Sequence, residues 1–285
     1  MKPLTLPIAL RLGRVSNLPT VTSNVLAAVA LSRGKPSPVT IAVVCVAMSL
    51  MYVAGMFLND AFDRDIDARE RPERPIPSGQ IGAGAVFDAG FVLLLAGIAL
   101  TIVASFATGA GWRPVLCSVG LATLIVIYDA HHKGNPLSAV VMGLCRVGVY
   151  ATTGFLVARD IDAALVGGIV ALLAYLIGLT HIARAENLAR LDHAWPLAFL
   201  AVPFVVAWPS NALAVAIYVA FLISTLRALV LVSGRQIKHA VGALIAGISL
   251  LDACLAAKAG CPRLAIAALV AWAATLVFQR VVPGT

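Results

Sequence analysis

Apolar residues in this chain run on without the regular polar interruptions that would mark the wet face of a soluble helix or strand. A bilayer core about 30 Å thick takes roughly 20 apolar residues per helix. Runs of that kind fall near 18–32, 39–58, 84–107, 112–129, 137–158 and 163–182, and again near 195–208, 211–232, 239–258 and 264–281. Those at 18–32 and 195–208 are short, so the pattern predicts an all-α polytopic membrane bundle of about nine or ten helices. Strand alternation is absent, which excludes an outer-membrane barrel. No break is long enough for a soluble domain, and residues 1–285 are expected to form one integral-membrane domain.

Composition agrees. The chain is 61% hydrophobic and 12% charged, against roughly 45–50% apolar and 25% charged in soluble proteins. Disorder, a disulfide scaffold and a nucleic-acid partner are excluded despite the net charge of +8. Cys45, Cys117, Cys145, Cys254 and Cys261 are scattered without metal-ligand spacing and read as buried thiols. The segment Met1–Asn17 is polar and basic and lacks a small-residue cleavage site, so an uncleaved first span is expected.

With the N-terminus inside, the cytoplasmic loops carry twelve Lys and Arg residues, including Lys2, Arg11, Arg14, Arg71, Arg74, Lys133, Arg184 and Arg190; the opposite loops, with Arg159 among them, carry six. That bias predicts an N-in topology with the two most charged loops, after the second and sixth runs, on the cytoplasmic side.

Charge is rare enough that its placement is informative. Six of the thirteen acids lie between Asp60 and Glu73. If the second helix continues through this segment, Asn59, Asp63 and Asp67 recur at i, i+4 and i+8 on one face. Such side chains repel unless a cation sits among them, and hard divalent ions take oxygen ligands completed by substrate phosphates. A solvated helix end balanced by Arg64, Arg69 and Arg71 is the plainer alternative. In Arg71-Pro72-Glu73-Arg74-Pro75-Ile76-Pro77-Ser78-Gly79, three prolines end the helix in a rigid turn expected to carry Arg71 and Arg74 back toward the acids. Guanidinium groups grip phosphate oxygens in a fork geometry.

These residues together, with Arg11-Leu12-Gly13-Arg14-Val15-Ser16-Asn17-Leu18-Pro19 and Tyr128-Asp129-Ala130-His131-His132-Lys133, resemble the UbiA-type intramembrane prenyltransferases over most of the chain. The resemblance implies a helix bundle around a lipid-open central cavity and Mg²⁺-dependent transfer of a prenyl group from a prenyl diphosphate to a small aromatic or polar acceptor. It places Mg²⁺ on Asn59, Asp63 and Asp67 with Asp60 as a further participant, diphosphate on Arg74 and Lys133 with Arg71 beside them, and Tyr128 in the cavity. Typical members carry a second Asp-rich motif after the sixth span. Here the stretch from Gly178 to Asp192 lacks the expected aspartates, which marks a divergent branch. Glu186 and Asn187 are then the candidate oxygen donors, Glu186 with a catalytic and metal role beside Asp63, Asp67 and Lys133. Arg184 is a candidate phosphate ligand, and His181 is either a base toward an acceptor hydroxyl or an interfacial residue.

Three ionisable residues fall inside apolar runs, where they normally face the bundle interior. Arg146 is expected in the central cavity, and Arg227 is expected to pair with Asp252. Two rival functions fit a charged membrane bundle: a transporter, and a catalytically altered relative that binds prenyl lipid. No counterpart of the Asn59–Gly79 segment occurs in the second half, which counts against the internal repeat many transporters show.

Overall fold

The computed structural model describes residues 4–158, 161–184 and 194–282; Lys2, Arg159 and Arg190 of the charge count lie outside them. Among the described residues every regular element is helical. The helices are α1 (Leu6–Leu12), α2 (Leu18–Leu31), α3 (Pro38–Phe62), α4 (Arg64–Glu70), α5 (Ala83–Thr108), α6 (Arg113–His131), α7 (Ser138–Val157), α8 (Ala163–Arg184), α9 (Val202–Val206), α10 (Ala212–Ser233), α11 (Ile237–Lys258) and α12 (Pro262–Phe278). Each apolar run became a helical stretch, and chain punctuation sets the ends. Ser37 caps α3 by accepting from the Thr40 amide at 3.1 Å, and Asn211 caps α10 through the Ala214 amide at 2.9 Å.

Among the described residues seven helices are long and apolar enough to cross a membrane: α3, α5, α6, α7, α8, α10 and α11. Three shorter apolar stretches, Val15–Leu31, Trp195–Val206 and Pro262–Phe278, complete the bundle. The Trp195–Val206 stretch begins as a 3-10 segment, Trp195–Ala201, before α9. Pro196 and Pro203 lack the amide hydrogens that a longer α-helix would use.

Two large apolar clusters, with a smaller one around Leu12, Phe57 and Ile81, pack the described helices. In one, Met48, Met51 and Leu58 of α3 meet Leu94 of α5 and Leu121 of α6. In the other, Leu244, Ile248 and Leu251 of α11 meet Leu165 and Tyr175 of α8 and Phe221 of α10. In lipid, where apolar burial gives helices little reason to associate, small residues at contacts let van der Waals packing do it. At Gly97 of α5 an added methyl would lie 2.9 Å from the Ala47 carbonyl oxygen and would overlap the Met51 side chain. Gly97→Ala is therefore expected to destabilise the fold by about 1–3 kcal/mol, read as a lower unfolding midpoint in a denaturing-detergent titration. An unchanged midpoint would show that this glycine does not set the α3–α5 spacing.

The pairing of Arg227 with Asp252 is not found. Asp252 is fully buried on the side of α11 that faces α2 and α7. It accepts from Ser23 at 2.5 Å, Asn24 at 2.8 Å and Tyr150 at 2.5 Å. Arg227 lies off the buried Phe221–Thr225–Ala228 face of α10 and is exposed. It is within two turns of the helix end, so its long side chain can reach the interface without an internal partner.

Candidate active site

Where α3, α6 and α8 end and α2 and α11 begin, a cavity of about 620 Å³ opens between the two clusters. Its walls are apolar, with Val21, Met48, Met51, Leu121, Val149 and Ile248 among them. Its polar residues gather toward the helix ends.

The acidic stretch of α3 and α4 keeps its register through the junction. Although α3 stops at Phe62, the Asp63 amide still bonds the Asn59 carbonyl at 2.9 Å and the Asp67 amide the Asp63 carbonyl at 2.8 Å. Asn59, Asp63 and Asp67 consequently all line the cavity. Asp60, one position round the helix, does not. Its carboxylate takes Arg14 at 3.0 Å and Arg74 at 3.2 Å. The same Arg74 amino group lies 2.6 Å from Asp67, because the proline-punctuated turn brings it back over α4. Asp63 faces the end of α6, 3.4 Å from His132 Nε2 and 3.7 Å from Lys133 Nζ.

The repulsion implied by stacked acids is thus met from three directions by the protein's own cations. That compensation is incomplete at Asp67. Burial pushes its carboxyl above the ordinary range, and Asp60 and Asp63 push the same way, against the pull of Arg74. Arg14 shows the reverse balance: burial disfavours its charge, but Asp60 together with the nearby Tyr52 and Tyr128 offsets this, and the guanidinium holds its proton above the ordinary value. Its backbone is left-handed, φ 41°, a conformation costly for a non-glycine residue and retained here where the side chain bridges Asn59 and Asp60.

Tyr128 lines the cavity and stacks on His132 one turn later, ring centres 4.9 Å apart. Asp129 lines it too and accepts from the Asn59 side-chain amide at 3.3 Å. Arg71 and Lys133 are part of the lining. Arg184 reaches it from α8 while donating to the carbonyls of Asn135 at 2.9 Å and Pro136 at 3.2 Å, and to the Ser138 hydroxyl, so it also ties the α6–α7 loop to α8. Deeper in, Arg146 donates to Asn24 at 2.9 Å and Thr20 at 3.1 Å, with its guanidinium 5.3 Å from the Tyr52 ring centre.

His181, which as a base toward an acceptor would have to face the cavity, is not part of its lining. Thr180, Ala183 and Arg184 present the cavity face of α8, and His181 sits about 100° round from Thr180. Glu186 and Asn187 lie outside the described residues. Arg14, Asn17, Asp129 and His132 also belong to the lining, though periodicity did not single them out. Their signal was adjacency, since each lies within the Arg11–Pro19 or Tyr128–Lys133 stretch.

Among the described residues no three His, Cys, Asp or Glu side chains converge as a metal-holding group. The oxygen donors Asn59, Asp63, Asp67 and Asp129 all belong to the cavity lining. They have the chemistry a hard cation requires, but the rest of its shell has to come from a ligand.

The comparisons with known proteins agree with this architecture. The model of the UbiA prenyltransferase family matches residues 20–282. Digeranylgeranylglyceryl phosphate synthase of Methanoregula boonei is 38% identical over 89 residues, 30% of this chain and 29% of that protein. The chloroplastic chlorophyll synthase of Avena sativa is 38% identical over 95 residues, 32% of this chain and 25% of that protein. The matched stretches thus span less than a third of the length of these relatives. In fold, the chain is similar to the apo structure of a UbiA homolog from Aeropyrum pernix K1, at TM-score 0.65 and 16% identity over 82% of this chain and 96% of that one. A UbiA homolog from Archaeoglobus fulgidus bound to GPP and Mg²⁺ gives TM-score 0.52 and 13% identity over 96% and 86%. The chain is a member of the UbiA prenyltransferase family.

Proposed function

We propose that this single membrane domain transfers a prenyl group from a prenyl diphosphate to a small polar or aromatic acceptor. The observation that carries the reading is the amphipathic cavity: an apolar chamber whose rim holds Arg14, Arg71, Arg74, Lys133 and Arg184 against Asp63 and Asp67. An allylic diphosphate has the same polarity, an apolar chain with a concentrated negative head. As its C–O bond breaks, charge accumulates on the departing pyrophosphate, and prepositioned cations in a water-poor site stabilise that charge. Arg74 and Lys133 are placed for this, each held by a carboxylate on a neighbouring segment. Tyr128 and the apolar wall shield the chain from water, and Arg184 fixes the loop that frames one side of the rim.

Asn59, Asp63 and Asp67 supply hard oxygen donors on one face, and the residues would hold Mg²⁺ together with diphosphate oxygens. When bound, the ion supplies Lewis-acid neutralisation of the leaving group. Twelve cationic loop residues against six support a cytoplasmic rim. The relatives named for digeranylgeranylglyceryl phosphate and chlorophyll synthesis support a prenyl donor.

The test uses purified protein in lipid nanodiscs with labelled farnesyl or geranylgeranyl diphosphate, Mg²⁺ and a panel of acceptors. Release of pyrophosphate with formation of a prenylated acceptor is expected, and chelation of Mg²⁺ should stop it. Diphosphate binding without turnover on any acceptor would replace this reading with that of a prenyl-lipid-binding relative.

A further inference from the structure

Among the carboxylates that line the cavity, Asp129 keeps one buried oxygen without a partner. Asp129 is 4% exposed. Its Oδ1 accepts from the Asn59 amide at 3.3 Å, while its Oδ2 is buried and has no hydrogen-bond partner. A desolvated carboxylate oxygen with nothing to accept from is costly, and native structures leave few of them. Asp60, its acidic neighbour across α3, is in the opposite condition, with both Arg14 and Arg74 on its carboxylate.

The two helices meet here in rungs. Asn59 of α3 touches Asp129 of α6; one turn on, Asp63 touches His132, just past the last turn of α6. Asp63 and Asp129 therefore bring one carboxylate each to the same cavity, one from the α3–α4 junction and one from α6. Asn59 is less free than its position suggests, since its carbonyl oxygen accepts from Arg14 at 3.3 Å and its amide is spent on Asp129.

We propose that Asp129, and not Asp60, is a direct oxygen ligand of the divalent cation that accompanies the diphosphate, linking α6 to Asp63 at the α3–α4 junction. This rests on the diphosphate reading above and extends it to a carboxylate outside the acidic stretch of α3 and α4. A hard divalent ion is the occupant that fits, because a lone carboxylate oxygen offers one strong ligand and a diphosphate supplies the others.

The experiment titrates Mn²⁺ into the full-length protein in nanodiscs with inorganic pyrophosphate present, following free Mn²⁺ by electron paramagnetic resonance. Asp129→Asn is expected to weaken Mn²⁺ binding at least tenfold, as Asp63→Asn does. Asp129→Cys keeps a ligand but makes it soft, and should shift the Cd²⁺-to-Mn²⁺ affinity ratio tenfold or more toward Cd²⁺. A role in positioning Asn59 alone would not move that ratio. Wild-type Mn²⁺ affinity in Asp129→Asn, or an unchanged metal ratio in Asp129→Cys, overturns the assignment while Asp63→Asn still reports on the site. If Asp63→Asn binds Mn²⁺ like wild type as well, the cation reading of the whole cavity falls with it.

Discussion

Replacing Asp63 with alanine is expected to lower pyrophosphate release by at least about 1000-fold in protein that still inserts and elutes as wild type. Loss of one preorganised electrostatic contact typically costs about 10²–10³ in rate, and Asp63 makes more than one. It lines the cavity, orients His132 at 3.4 Å and Lys133 at 3.7 Å, and belongs to the oxygen-donor set proposed for the cation. Without it, Lys133 loses the carboxylate that holds it over the rim, so the binding of prenyl diphosphate should weaken along with turnover. Asp67→Ala should produce a comparable loss by a different route, because it releases Arg74 from its 2.6 Å contact. Turnover within tenfold of wild type in both variants would remove these carboxylates from the chemistry. Normal diphosphate binding with no turnover would instead confine their role to the breaking bond.

The second large effect concerns stability. Asp252→Ala is expected to destabilise the bundle by about 2–4 kcal/mol. The carboxylate joins α11 to α2 and α7 through Ser23, Asn24 and Tyr150. Single interhelical hydrogen bonds in membranes average only about 0.6 kcal/mol, so three broken bonds alone give the low end. The remainder comes from donors left buried without an acceptor. Asn24 is the link outward, since it donates to Asp252 and accepts from Arg146. Loss of the carboxylate therefore also loosens a cation that lines the cavity. The measurement is the unfolding midpoint in mixed micelles of increasing denaturing-detergent fraction, for Asp252→Ala and for Asp252→Asn, which keeps the shape and one acceptor. A midpoint for Asp252→Ala equal to wild type would make the network a passenger of apolar packing.

The parts of the site differ in how far the sequence alone revealed them. The residues of the acidic stretch were legible because helix periodicity is a local property. A spacing of four residues places Asn59, Asp63 and Asp67 on one face whatever surrounds them. The return of Arg74 was legible for a related reason: three prolines in seven residues leave the backbone few ways to run. The roles of Asp129 and His132 were not, beyond their place in the Tyr128–Lys133 stretch, because they come from Asn59 and Asp63, which face them across about 70 positions of sequence. Asp252 was misread for the same cause. Sequence offered Arg227 as the available opposite charge, yet the rotation of α11 turned the carboxylate toward α2 and α7, where neutral donors satisfy it.

By itself, then, the sequence determined the solvent, the all-helical class, the helix spans within a few residues and the segment where acids and arginines crowd together. Those follow from composition, run length and local periodicity, which need no neighbours to act. Only the tertiary structure decided which acids are already neutralised and which are not. Asp60 is closed by two arginines, Asp63 is shared with the end of α6, and Asp129 keeps one oxygen without a partner. The Coulomb energy of a carboxylate depends on distance and burial, and both are fixed by how the helices pack.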